Sequence, residues 1–366
     1  MAETIFVINP GSTSTKVGLF NGDEIVFHAN VEHSAAELKS FATISDQLAY
    51  RRDTILRQLA ERGITLDDVD AFVGRGGGLL PVEGGVYAIG PTLIDHARRG
   101  ANGVQHPAQL GSQLADELAK RHNKPAYVVN PPDTDEFCDL ARMTGIKGVY
   151  RRCHLHTLNL KETALRHAAT IGRSYGDCNF IVCHIGGGIS ISAHEKGRMI
   201  DGNDIVGGDG PLTPTRCGSI PVAELLDYLK DHDVKSARDL CTKSGGFVSL
   251  LGTADLKEVT AVRIPTGDAA AARAWDAMIY QIVKHIGMMS TVLKGKVDGI
   301  LLGGGLVHNA DLVQKIEVAC SWIAPVSAYP GEFELEAMAA GAIRVLSGVE
   351  TAREYTGVPR WNGFPD

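Results

Sequence analysis

Three stretches of this sequence place glycine, hydroxyl groups and positive charge where an anion could be held. The first is Gly11-Ser12-Thr13-Ser14-Thr15-Lys16, between two apolar runs. A tight turn between strands exposes successive N–H groups, and here it adds four hydroxyls and the point charge of Lys16, a set suited to phosphate oxygens. It is not a P-loop, which needs a glycine before the lysine and a helix after it; Thr15 precedes Lys16 and a strand pattern follows. The second stretch is His184-Ile185-Gly186-Gly187-Gly188-Ile189-Ser190 and the third is Gly303-Gly304-Gly305, each directly after an apolar run. Consecutive glycines at a strand end let a ligand approach the backbone closely, at an entropic cost that simple turns do not need. Neither run carries the G-x-G-x-x-G spacing of a dinucleotide fold.

Two arginines are embedded in glycine, Arg75 in Gly74-Arg75-Gly76-Gly77-Gly78 and Arg216 in the segment from Gly207 to Gly218. An arginine with so few side chains to pack on is suited to a planar carboxylate or a phosphate. Lys16, Arg75, His184 and Arg216 form the cationic set. Asp133, Asp135, Glu136, Asp209, Glu332 and Glu334 are the acidic candidates for holding Mg2+, although composition alone would make most of them solvated surface charges. His154 and His156 lack the further ligands of a zinc site. The seven cysteines form no C-x-x-C pair, so reduced thiols in the cytoplasm are expected.

These residues sit in a chain of 366 with 42 glycines, about 11% against roughly 7% in ordinary usage. Sixteen of the 42 are expected in ligand-facing loops: Gly11, Gly74, Gly76–Gly78, Gly84, Gly85, Gly186–Gly188, Gly207, Gly208, Gly210 and Gly303–Gly305. With 44% hydrophobic and 22% charged residues the chain is globular, not disordered, and its length fits two domains. A net charge of −7 without basic stripes gives no electrostatic basis for nucleic-acid or acidic-membrane binding. No apolar stretch approaches the ~20 residues of a membrane helix.

Alternating apolar residues predict strands over Thr4–Asn9 and Lys16–Phe20, with Asn21-Gly22 turning into a third at Glu24–Phe27. The pattern recurs 175 residues on, where Ile5–Gly11 lies over Phe180–Gly186 and Asn21-Gly22 over Lys196-Gly197. A repeat spaced by nearly half the chain points to two related domains. Helical periodicity predicts helices over Ala36–Arg62, His106–Arg121, Ile220–Asp231, Ala269–Lys294 and Glu334–Leu346. Strands are expected at Val69–Gly74, Pro125–Asn130 and Val297–Leu302. Strands alternating with helices give the class α/β.

Taken together, these motifs resemble the acetate and butyrate kinase family of the actin-like, sugar-kinase and heat-shock ATPase superfamily, over nearly the whole chain. Val7–Lys16 resembles the first phosphate loop, His184–Ser190 the second and Leu302–Leu306 the adenosine motif. Gly74–Gly77, Pro81–Tyr87, His156-Thr157-Leu158-Asn159 and Pro330–Glu334 favour the butyrate branch. The resemblance implies two actin-like (ribonuclease H-like) domains with a ligand cleft between them. Their expected bounds are 1–148, with 335–366 packing back on them, for the acyl-substrate side and 149–334 for the nucleotide side. It implies cytoplasmic phosphoryl transfer from MgATP to the carboxylate of butyrate, giving butyryl phosphate and ADP, in a dimer or larger assembly. An acetate, propionate or branched-chain acid kinase is the near alternative, and a non-enzymatic actin-like nucleotide-binding protein the distant one.

The same resemblance implies residue roles. Asn9, Ser12, Ser14 and Lys16 would line the first phosphate loop. Arg75 and Arg216 would bracket the carboxylate and the transferring phosphoryl, and His184 would donate a hydrogen bond to it. Gly186, Gly187 and Gly188 would approach the ATP phosphates, and Gly303, Gly304 and Gly305 the adenosine. Asn9, Glu332 and Glu334 are the implied metal set. Where family members commonly carry an aspartate this chain has Asn130, so the acidic role would pass to Asp133 or Asp135 or be less essential than in acetate kinases; Asp135 is placed in the catalytic set.

Overall fold

The hairpin expected at Asn21-Gly22 is present, with Gly22 at φ +59°, and it organises the first sheet. The computed structural model describes residues 2–364. Strands β1 (Thr4–Pro10), β2 (Ser14–Asn21) and β3 (Glu24–Glu32) form an antiparallel meander. Strand β4 (Ala71–Gly74) pairs parallel with β1, and β6 (Ala126–Val129) pairs parallel with β4 and antiparallel with β5 (Val86–Ala88). Ile5, Phe6, Val7, Ile8, Phe72 and Val73 are completely buried, as expected of strands covered on both faces. Helices Leu48–Glu61 and Gln109–His122 cover one face through Ile55, Leu59, Leu110, Leu114 and Leu118. Helix Glu334–Leu346 packs on β1 and β6, where a Cβ on Gly341 would lie 2.6 Å from Val129.

The second sheet repeats this plan. Strands β7 (Asn179–Ile185), β8 (Ile189–Glu195) and β9 (Arg198–Gly202) form a meander, and β10 (Gly299–Gly304) and β11 (Val326–Pro330) follow in parallel, in the order β11-β10-β7-β8-β9. The first sheet contains the equivalent order β6-β4-β1-β2-β3. The turn over Asn21-Gly22 is again left-handed, with Lys196 at φ +48° and Gly197 at φ +83°. Helices Thr157–Thr170 and Ala269–Val292 supply the two coverings. A last short strand, β12 (Arg353–Glu354), pairs with β5.

The chain divides into two compact units, one formed by residues up to Asp135 together with those from Phe333 onward, the other by Glu136–Glu332. Among the described residues no helix is long and apolar enough to cross a membrane. One expected element is broken. The single helix over Ala36–Arg62 is two, Ala35–Ser40 and Leu48–Glu61, separated by an extended Phe41 and a tight turn over Ser45–Gln47. Thr43 and Asp46 exchange side-chain-to-amide bonds of 2.8 and 3.3 Å there, a reciprocal cap that restarts the helix despite unbroken apolar periodicity.

Candidate active site

In the first unit the β1–β2 register sets Asn9 directly opposite Lys16, and Ser14 follows on the same face two residues back along β2. Lys16 and Ser12 are exposed, whereas Thr15 points into the core. Asn9 Nδ2 donates to Glu334 Oε2 at 2.7 Å, so the N-terminus of the last long helix is tied to the end of β1. Arg75 follows β4 and is 8% exposed. Its amide donates to the Ile8 carbonyl at 2.8 Å and its Nη1 to the Asn130 carbonyl at 3.3 Å. Burial works against its charge, and Glu334 and Asp133 support it.

Asn130 stands at φ +39°, its Oδ1 accepting from the Gly85 amide at 2.8 Å, so it shapes the loop that leads to Asp133 and Asp135. Of the two acids proposed in its place, Asp133 is the one whose charge Arg75 feels. Burial pushes the Asp133 carboxyl up to about 6. Asn102 donates to its Oδ1 at 2.6 Å, while its Oδ2 is buried and has no hydrogen-bond partner among the described residues. Asp135 is 6% exposed and its amide is bonded to the Val82 carbonyl at 2.8 Å.

In the second unit His184 is the last residue but one of β7, 4% exposed, with its register partner Ser190 on β8. Ser190 Oγ accepts from the His156 amide at 3.1 Å and lies 2.8 Å from His156 Nδ1. Glu332 Oε1 is 3.8 Å from His184 Nε2. Arg216 is carried by a loop latched to the Gly186–Gly188 turn, because Thr213 and Thr215 hydroxyls both donate to the Gly187 carbonyl, at 2.7 and 3.0 Å. Its Nη1 donates to the Ile205 carbonyl at 2.8 Å, and its Nε is buried with no acceptor among the described residues. Among the described residues neither Arg75 nor Arg216 has a carboxylate in ion-pair contact. Two partly desolvated guanidinium groups whose acidic neighbours stay out of direct contact are costly to a fold and useful to an anion.

The glycines divide differently from expectation. A Cβ on Gly74 would meet the Gly111 carbonyl at 2.0 Å, on Gly76 the Pro131 side chain at 2.6 Å and on Gly77 the Gln109 amide at 3.0 Å. Gly78 is left-handed, and Gly304 is left-handed with a Cβ clash of 2.5 Å against Ile185. Gly303 faces Asn159 and Thr163 at 3.3 Å, and Gly188 faces Arg216 Nη1 at 2.4 Å. Packing of the protein on itself is why these are glycine. Gly187 and Gly305 alone in the two triplets have open space beside them, with Gly186 close to the His184 ring at 3.2 Å.

His156, weighed from the sequence only as a zinc ligand, instead stacks on the His184 ring, a contact that spacing along the chain does not show. The only local cue was its place immediately before helix Thr157–Thr170. His154, the other histidine weighed as a zinc ligand, pairs instead with Asp204 at 3.0 Å. Among the described residues no three His, Cys, Asp or Glu side chains form a metal cage. Mg2+ is commonly held by one or two carboxylates and substrate phosphates. Asn9 Oδ1 and the Glu334 carboxylate offer oxygens of that kind.

Residues 141–323 match the model of the acetokinase family. The chain is 40% identical over 358 residues to a protein named probable butyrate kinase from Clostridium botulinum strain Alaska E43, covering 97% of this chain and 100% of that one. It is 40% identical over 353 residues to butyrate kinase 1 of Clostridium acetobutylicum, covering 96% and 99%. In fold it is similar to acetate kinase of Porphyromonas gingivalis, with a TM-score of 0.76 at 18% identity over 94% of this chain and all of that one. It is likewise similar to a propionate kinase from Francisella tularensis, with a TM-score of 0.69 at 17% identity over 92% and 98%.

Proposed function

This chain belongs to the acetokinase family and is an ATP-dependent carboxylate kinase, and on that premise we propose that its acceptor is butyrate, with butyryl phosphate and ADP as products. The observation that carries the chemistry is that Arg75, buried, and Arg216, partly buried, have no carboxylate in ion-pair contact among the described residues. The names of the two clostridial relatives support the choice of acid.

A short-chain carboxylic acid has a pKa of roughly 4–5, judged from side-chain carboxyls, so at neutral pH it is already a nucleophile and needs no general base. One carboxylate oxygen forms a bond to the γ-phosphorus in line with the β–γ bridging oxygen, which leaves with the bonding electrons as ADP. The task of the protein is to bring an anion to a polyanion and to stabilise charge spread over the transferring phosphoryl. Arg75 and Arg216 supply that charge, His184 donates to a phosphoryl oxygen, and Asn9, Ser12, Ser14 and Lys16 line the loop that receives it. Gly186–Gly188 lie against the ATP phosphates and Gly303–Gly305 towards the adenosine. Asp133, beside Arg75, takes the acidic role in preference to Asp135. Asn9 and Glu334, with Glu332, would hold Mg2+, which supplies neutralisation of phosphate charge. We place the protein in the cytoplasm, a reading that its free cysteines support, and expect a dimer or larger assembly.

Hydroxamate formation from ATP, hydroxylamine and a series of straight and branched acids tests the proposal. A maximum at the four-carbon straight acid is expected. One methylene is worth about 1–3 kcal/mol in a hydrophobic pocket, so a maximum at two carbons would displace butyrate, and no product with any acid would remove the kinase assignment.

A further inference from the structure

Beneath the first phosphate loop lies an arginine that the roles above do not use. Arg51, on helix Leu48–Glu61, is 0% exposed and is one of the largest fully buried side chains of the protein. Among the described residues it forms no ion pair. Its Nη1 donates to the carbonyls of Gly11 and Ser14 at 2.9 and 3.3 Å and to Thr15 Oγ1 at 3.2 Å. Its Nη2 donates to the Ser12 carbonyl at 3.2 Å, and its Nε to Gln47 Oε1 at 3.0 Å. The remaining carbonyl of the turn, that of Thr13, accepts from the His33 amide at 2.9 Å, and His33 Nε2 lies 2.8 Å from Thr15 Oγ1. Every carbonyl from Gly11 to Ser14 is therefore drawn inward to a protein donor.

In a trans peptide the carbonyl of one residue and the amide of the next point in opposite directions. Drawing the Gly11 and Ser12 carbonyls inward turns the Ser12 and Thr13 amides outward, where among the described residues they find no acceptor. Successive outward amides make an anion-binding concavity, and a cation stands directly behind this one. Burial lowers the Arg51 guanidinium to about 10, so it stays charged at neutral pH, and burial with the Arg51 charge lowers His33 to about 4, so His33 is neutral there. A neutral amide could satisfy carbonyls without the cost of burying an unpaired charge. A permanent cation earns its place here if a dianionic group arrives on the other side of the loop.

We propose that Arg51 is a positioning residue for phosphoryl transfer: its planar fork holds the Gly11, Ser12 and Ser14 carbonyls back so that the Ser12 and Thr13 amides face the phosphoryl group, and its charge lies behind them. This rests on the reading of residues 9–16 as the first phosphate loop.

The test compares Arg51→Lys, Arg51→Met and, as reporter of the loop itself, Lys16→Met. Turnover per folded molecule, KM for ATP and for the carboxylate, and Tm are measured in the hydroxamate assay and by circular dichroism. Displacement of reacting groups by about 1 Å costs about a hundredfold in rate. Arg51→Lys, which keeps the charge and loses the fork, is expected to fold and to lose about tenfold to a hundredfold in kcat with little change in KM for the carboxylate. Arg51→Met should lose more; if it fails to fold, Arg51→Lys decides. Wild-type kcat per folded Arg51→Lys molecule, with Lys16→Met impaired, would overturn the proposal and reduce Arg51 to a structural cap. Wild-type kcat in Lys16→Met would overturn the loop reading instead, and the proposal with it.

Discussion

The ring of His156 lies flat against that of His184, with centroids 4.0 Å apart and planes inclined by 18°. His156 is anchored through Ser190, the residue opposite His184 in the β7–β8 pair, so one strand pair fixes both rings. His156 is therefore a platform that holds His184 in one orientation. His156→Ala should lower kcat by about tenfold or more, in the range seen for misplaced reacting groups, and His156→Phe, which restores a flat neighbour, should recover part of it. Equal losses in the two variants would mean that His156 acts on the substrate itself.

Removing either bare arginine should cost activity without costing stability. Arg75→Ala and Arg216→Ala are each expected to lower turnover by about a hundredfold, the scale of one preorganised charge stabiliser. Lysine should not restore it, because a point charge does not reproduce the guanidinium fork. Arg75→Met, which removes a desolvated cation that has no ion-pair partner, should hold or raise Tm. A loss under a few-fold in both alanine variants would refute the assigned roles, and a large fall in Tm for Arg75→Met would make Arg75 structural.

Asp133 links the site to pH. Its carboxyl is raised in the fold, from the ordinary 3.8 to about 6, chiefly by burial. The folded protein then binds this proton more tightly than the unfolded chain. Its contribution to stability is fully present below pH ~4, falls as pH rises towards about 6 and is absent above, where a buried charge must be carried. Asp133→Asn should therefore raise Tm at pH 7 relative to the parent, with the difference vanishing towards pH 4. Thermal melts across that range check the sign; a difference that grows towards low pH would contradict it. The same variant removes one charge that supports Arg75, so its turnover should fall.

Adjacent glycines of one triplet should behave oppositely. Gly304→Ala forces a left-handed residue against the Ile185 backbone and should lose more than about 1 kcal/mol of stability. Gly305→Ala enters open space, so Tm should hold while KM for ATP rises several-fold. If KM for ATP is unchanged in Gly305→Ala, the nucleotide role of this turn fails. Gly188→Ala, with its Cβ 2.4 Å from Arg216 Nη1, should depress kcat by displacing that arginine.

The meanders were legible because alternation and turn chemistry are local. Thr4–Pro10 and Asn179–Ile185 stand 175 residues apart, as the repeated pattern implied, and Glu334–Leu346 is the helix its periodicity predicted. Helix Thr157–Thr170 has no periodic signature in the sequence, because it is buried almost all round while carrying Asn159, Lys161 and Glu162 and so shows no apolar stripe. Its charge is neutralised only in the fold, where Lys161 Nζ meets both Glu136 oxygens at 2.7 and 2.8 Å.

Which residues could serve phosphate chemistry was written in the order of glycines, hydroxyls and cations along the chain, because strand period and turn type follow from backbone sterics over a few residues. Which of them are bare, buried or backed by another charge was not. Asn9 meets Glu334 across 325 residues, and Arg51 reaches the Gly11 carbonyl across 40. Desolvation and pairing depend on what packs against a group from elsewhere in the chain. Tertiary structure alone separated glycines needed for packing from those open to a ligand, left two arginines without a carboxylate in direct contact among the described residues and set a third beneath the phosphate loop.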